Sequence, residues 1–282
     1  MISRPLAAAV LGLCGLGAVA CGGAASSDAD ATMPDAARNT GPETAGAVSQ
    51  VSARTAGTPA AKAKPLAGKV IVIDPGHNGG NYRHPEIINK QVNVLTQWKA
   101  CDTTGTSTND GYSEAAYTWD VSNRLAKDLR AAGATVKLTR KDNTSVGPCI
   151  TERAAIGNRA KADAAISIHG DGAPASGHGF HVIIPKKING PVDPVVDDSR
   201  RLGLLIRNAY HAGTGVPYST YIGKNALDYR DDLGGLNLSK VPKVFIECGN
   251  MRNTGDAAKM KDPRFRQRVA DSLAKAFQAY LA

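Results

Sequence analysis

Three short strings hold the residues of this chain best suited to chemistry: Ile-Asp-Pro-Gly-His-Asn at 73–78, Ser-Ile-His-Gly-Asp at 167–171 and Phe-Ile-Glu-Cys-Gly-Asn at 245–250. Each includes or follows a β-branched run that reads as a buried strand, and each sets a polar side chain at or just past the strand end. Open α/β sheets bind ligands along the edge where the C-terminal ends of their strands gather. His77, His169 and Glu247 can therefore meet, although they are far apart in sequence. Two imidazoles and a carboxylate are the donors of a catalytic zinc site, which keeps one position open for water. Glu114 opens a helix, where it is either the third metal ligand or simply a charge that complements the helix dipole. Glu247 ends an apolar strand, where a carboxylate needs a partner or a task. It is read either as the general base acting on an activated water or as half of a buried ion pair.

These side chains need strands and helices to aim them. The run 69–74 is apolar throughout, as for a strand covered on both faces, and Pro75-Gly76 breaks it. Residues 78–112 form a long insertion with a hairpin near 92–98; loops of that length are usually functional or disordered. Ser113 is the predicted N-cap of a helix over 114–131 whose inner face carries Val121, Leu125 and Leu129. Strands follow at 134–139, 164–168, 179–184 (at or near an edge) and 244–246. Helices are predicted over 151–162, with Arg153 and Arg159 outside, over 198–212, and over 265–281. The expected fold is α/β, a mostly parallel central sheet flanked by helices in one catalytic domain over 67–282.

The N-terminus reads differently. Residues 1–20 have the charge, apolar stretch and Ala-Val-Ala ending of a signal peptide, and Cys21 behind it is a candidate lipid anchor. Residues 21–66 are poor in bulky apolar groups and read as a disordered tether. The chain is thus expected to be exported, either held at the outer face of the cytoplasmic membrane or secreted to the wall. Cys101 and Cys149 are expected to pair in an oxidising compartment. Cys248 is the buried, inert thiol, pointing away from Glu247 by strand alternation. His181 is assigned to a core or pocket, and His84, His178 and His211 to the surface. The net charge of +9 suits anionic polymers. With four Phe, two Trp and no recognition motif, nucleic acid is not expected as a partner.

Together, Asp-Pro-Gly-His at 74–77, the Glu114 helix start, Ser-Ile-His-Gly-Asp, and Glu-Cys-Gly-Asn-Met-Arg-Asn at 247–253 make the chain resemble the zinc-dependent N-acetylmuramoyl-L-alanine amidases of the amidase type 3 group. The resemblance spans about residues 68–282, and its insertion and paired cysteines look like the compact mycobacterial branch. It implies that His77, Glu114 and His169 bind Zn2+, with Glu86 as the substitute should Glu114 not serve. It also implies that Glu247 is catalytic and that the substrate is peptidoglycan, cut between N-acetylmuramic acid and L-alanine. A monomer is expected. The rival readings are a non-catalytic wall-binding lipoprotein on the same fold, a cysteine peptidase using Cys248, and a glycosidase using Glu114 and Glu247.

Overall fold

The computed structural model describes residues 64–282. The signal peptide at 1–20, the Cys21 anchor and nearly all of the 21–66 tether lie outside the described residues. Leu66, the last residue of that segment, is fully buried, and its amide donates to the Ala132 carbonyl at 2.9 Å.

A six-stranded sheet organises the molecule. In chain order its strands are β1 (Val70–Pro75), β4 (Thr135–Leu138), β5 (Ala164–Asp171), β6 (His181–Pro185), β7 (Leu227–Arg230) and β8 (Lys243–Asn250). Between β1 and β4 lies the hairpin β2 (Gln91–Asn93) and β3 (Trp98–Ala100), where the sequence placed it. The spatial order is β4-β1-β5-β8-β6-β7. All neighbours are parallel except β6 and β8, where His181 lies opposite Glu247. The last strand thus sits in the middle of the sheet, beside β5, with His169 in register with Glu247.

The pleat separates two kinds of residue. Ile71, Ile73, Ile166, Ile168, Val182, Ile184, Val244, Ile246 and Cys248 point to one face. There they meet three long helices: α2 (Glu114–Ala131), α4 (Val196–Thr214) and α7 (Pro263–Leu281). Cys248 is in this core, and burial pushes its thiol up to about 12. The alternate residues Asp74, Ser167, His169, Lys243, Phe245, Glu247, His181 and Ile183 face the other way. That side is covered more thinly, by α3 (Ile150–Arg159), the short helix α5 (Gly234–Asn237), and the insertion, which carries α1 (Pro85–Ile88). The sequence missed β7, α5 and α6 (Thr254–Lys261).

Arg153 corrects the sequence reading. It is 4% exposed rather than outside, and it reaches under the sheet to Asp74 at 2.9 Å. Asp74 also accepts from Lys243 at 3.0 Å, Thr139 at 2.6 Å and Ser167. A helical wheel could not foresee these acceptors. Arg159, by contrast, is exposed and pairs with Glu152.

Burial raises the Asp74 carboxyl, but Lys243 and Arg153 outweigh it and hold the group well below the usual carboxylate range. A group whose folded pKa is depressed contributes stability above its unfolded pKa of about 3.9 and loses it as pH falls further. Asp74→Ala leaves the buried Lys243 without its carboxylate and Arg153 with Asp102 alone, and is expected to cost about 3–5 kcal/mol at neutral pH. Urea unfolding as a function of pH checks this. The wild-type advantage should shrink below about pH 4; a gap between wild type and variant that does not change with pH would refute the assignment.

Candidate metal centre

Three chain segments bring one donor each to the C-terminal edge of the sheet. After β1, Pro75-Gly76 turns the chain and His77 takes a left-handed φ of 58°. Such backbone is strained for a bulky residue and persists only where the surroundings fix it. Glu114 is the first residue of α2, capped as predicted by Ser113, whose Oγ accepts from the Ala116 amide at 3.3 Å. Thr118 of the same helix donates to the Gly76 carbonyl at 2.8 Å, tying the helix to the exit of β1. His169 is on β5, its ring stacked on Phe245 with centroids 4.9 Å apart. On its other side is Gly76, where a Cβ would stand 2.3 Å from the ring.

Glu114 Oε1 lies 3.1 Å from His77 Nε2 and 2.9 Å from His169 Nδ1, and it accepts from the Gly170 amide at 3.2 Å. Its Oε2 accepts from the Thr106 amide at 2.9 Å. One atom from each of His77, Glu114 and His169 lies within 4.8 Å of the others. The donor types and spacing fit a tetrahedral zinc with one position left over. Glu86 is not in the group: it is exposed on α1 and pairs with His84 at 3.1 Å.

The carboxylates Glu114 and Asp102 draw positive charge to His77. Burial opposes protonation of His77, but Glu114 and Asp102 prevail and push it up to about 10. Burial likewise opposes ionisation of Glu114, yet His77 and His169 hold it well below its ordinary value. Glu247 behaves in the opposite way: burial, then Glu114 and Asp171, raise its carboxyl well above the ordinary range. Its Oε2 is buried without a hydrogen-bond partner; among the described residues Arg230 shares its cleft and draws its carboxyl down, less than burial raises it.

The three donors and Glu247 line a cleft of about 280 Å³, together with Thr103, Gly105, Asp171, Ile183, Arg230 and Leu233. Glu114 and Glu247 both face it. A second, more apolar hollow of about 210 Å³ continues past His77 and His169 to Ala100, Ile150 and Gly234. The sequence reading missed Arg230, which β7 delivers to the cleft and Asp232 grips with two bonds of 2.7 and 2.6 Å. It also gave no role to Asp102, which lies 3.4 Å from His77 Nδ1. His181 is buried, with Nδ1 unpartnered. The Cys101–Cys149 disulfide is present and spans 48 residues of chain.

Residues 71–279 match the family described as N-acetylmuramoyl-L-alanine amidase. Among curated proteins, N-acetylmuramoyl-L-alanine amidase Rv3717 of Mycobacterium tuberculosis is 39% identical over 219 residues, covering 77% of this chain and 88% of that one. The crystal structure of the amidase Ami1 from Mycobacterium smegmatis superposes with a TM-score of 0.72 at 38% identity, covering 77% of this chain and 98% of the other. The apo form of Ami1 from Mycobacterium abscessus gives 0.71 at 40% identity, covering 77% and 100%.

Proposed function

Because the chain belongs to the N-acetylmuramoyl-L-alanine amidase family, we propose that it hydrolyses peptidoglycan with a zinc ion, cutting the amide between N-acetylmuramic acid and the L-alanine of the stem peptide. The observation that carries this reading is the convergence of His77, Glu114 and His169 beside a cleft that also receives Glu247. In this reading the first three hold Zn2+ and Glu247 is the catalytic residue. Bound there, zinc supplies a lowered pKa for water and polarisation of the scissile carbonyl.

The remaining work falls to the chain itself. Glu247 takes the proton of the attacking water and returns it to the departing amine, a task suited to a carboxyl whose affinity for protons is raised. His77, Glu114 and His169 keep their donor atoms aimed at one point, which spares reorganisation during the reaction. Arg230 sits on the cleft wall, where a cation can meet acidic or carbonyl groups of a stem peptide. The reading includes export by the signal at 1–20 and action outside the cytoplasmic membrane, with Cys21 as the lipid anchor. The Cys101–Cys149 bond suits an oxidising setting, and the +9 net charge suits an anionic polymer.

The test is digestion of purified peptidoglycan by the full chain with zinc, read by mass spectrometry. Free peptides beginning at L-alanine are expected, and none after treatment with a chelator. New reducing sugar ends would indicate a glycosidase instead. Binding to the polymer without any product would favour the wall-binding alternative.

A further inference from the structure

We propose that Arg153 and Asp102 are positioning residues for His77, fixing which of its ring nitrogens is offered to the metal. The inference rests on the metal-site reading above and adds two residues to it.

The argument begins at the ring. His77 Nδ1 is faced by oxygen on every near contact: the Thr103 carbonyl at 3.1 Å, Thr103 Oγ1 at 3.1 Å and Asp102 Oδ1 at 3.4 Å. A carbonyl and a carboxylate can only accept, so they keep the proton on Nδ1. In the neutral ring that would bind a metal, the lone pair is then on Nε2, the nitrogen turned toward Glu114. In metal sites, partners of the second imidazole nitrogen set tautomer and ring orientation.

Asp102 needs holding in its turn, because it belongs to the insertion and not to the sheet. Arg153 supplies the hold. Its Nη2 donates to Asp102 Oδ2 at 2.8 Å and also to the His77 carbonyl at 2.9 Å. Nη1 donates to Asp74 at 2.9 Å and to the Pro75 carbonyl at 2.7 Å, and Nε donates to the Pro148 carbonyl at 2.8 Å. One planar guanidinium therefore fixes the backbone of His77, the carboxylate behind its ring and the strand from which it departs. This explains how a histidine stays at a φ of 58°. The disulfide serves the same junction, since Cys101 precedes Asp102 and Cys149 precedes the first residue of α3. A lysine at 153 would keep a charge between Asp74 and Asp102, but a single ammonium cannot make this fork of directed bonds.

The experiment measures zinc affinity of the full chain by competition with a chromophoric chelator, and the visible spectrum of the cobalt-substituted protein. Asp102→Asn is nearly isosteric, but its amide can flip a donor toward Nδ1. Its zinc affinity is expected to fall about 10- to 100-fold, with an altered cobalt spectrum. Arg153→Lys should fall by at least about tenfold, and it carries the test alone if Asp102→Asn does not fold. Far-UV circular dichroism of the metal-free proteins identifies which variants are folded. Affinities of folded variants within about threefold of wild type would overturn the proposal. A wild type that holds zinc but releases no peptide would tell against the amidase reading while leaving this one standing. A wild type that holds no zinc would overturn both.

Discussion

Glu247→Gln is expected to lower turnover on peptidoglycan by about a thousandfold, within the range that general acid–base groups contribute, while leaving zinc affinity at the wild-type value. The glutamine keeps the shape of the side chain and removes only its capacity to take up a proton. The three donors proposed for the metal, His77, Glu114 and His169, are left unaltered. Stability separates this prediction from a general defect. Glu247 Oε2 is buried without a partner, and an unpaired buried charge is costly. The neutral variant should therefore melt at or above the wild-type temperature. Peptide release, zinc per chain and thermal midpoint, measured on one preparation, decide the matter. A variant that is as active as wild type, or that is inactive because it has lost zinc, would sink the role given to Glu247.

The second large effect is expected at a residue that carries no functional group. Gly76→Ala should reduce zinc affinity about a hundredfold or more, in line with the cost of displacing a catalytic group by an ångström. The added Cβ would lie 2.3, 2.5 and 2.7 Å from three atoms of the His169 ring. The ring cannot simply move aside, because Phe245 stacks on its other face. β1 and β8 flank β5 on either side, so the imidazole is held between its neighbours like a card in a slot. Zinc retained after dialysis, with circular dichroism to establish the fold, checks this. Wild-type zinc retention would mean that His169 has room the structure does not give it, or that it is not a ligand.

Strand periodicity made much of this legible. The apolar runs at 69–74 and 164–168 announced buried strands, and alternation at 245–248 put Glu247 and Cys248 on opposite faces, as they are. Ser113 before Glu114 announced the helix start that aims a carboxylate at the sheet edge. What escaped was chemistry that depends on long-range partners. Arg153 has the spacing of a solvent-facing residue, and it is drawn inward by long-range acceptors, among them Asp74 and Asp102, 79 and 51 residues away. Asp102 sits in an insertion without periodicity, so nothing local points to His77. β7 is four residues long with no fully buried position, too short for alternation to register, and Arg230 went unnoticed with it.

The pleat of the central sheet also bears on how such a protein can change. The thick apolar layer formed with α2, α4 and α7 lies on one face, and the cleft opens at the edge of the other. Ile183, Arg230 and Leu233 line the cleft but stand outside that layer. Their replacement can reshape what the cleft accepts without opening a void among the long helices. The network around Asp74 is the exception, since its residues share the cleft's face yet anchor the strands. Selection, natural or in the laboratory, thus meets a scaffold in which recognition and endurance are largely separate traits, joined at one buried aspartate.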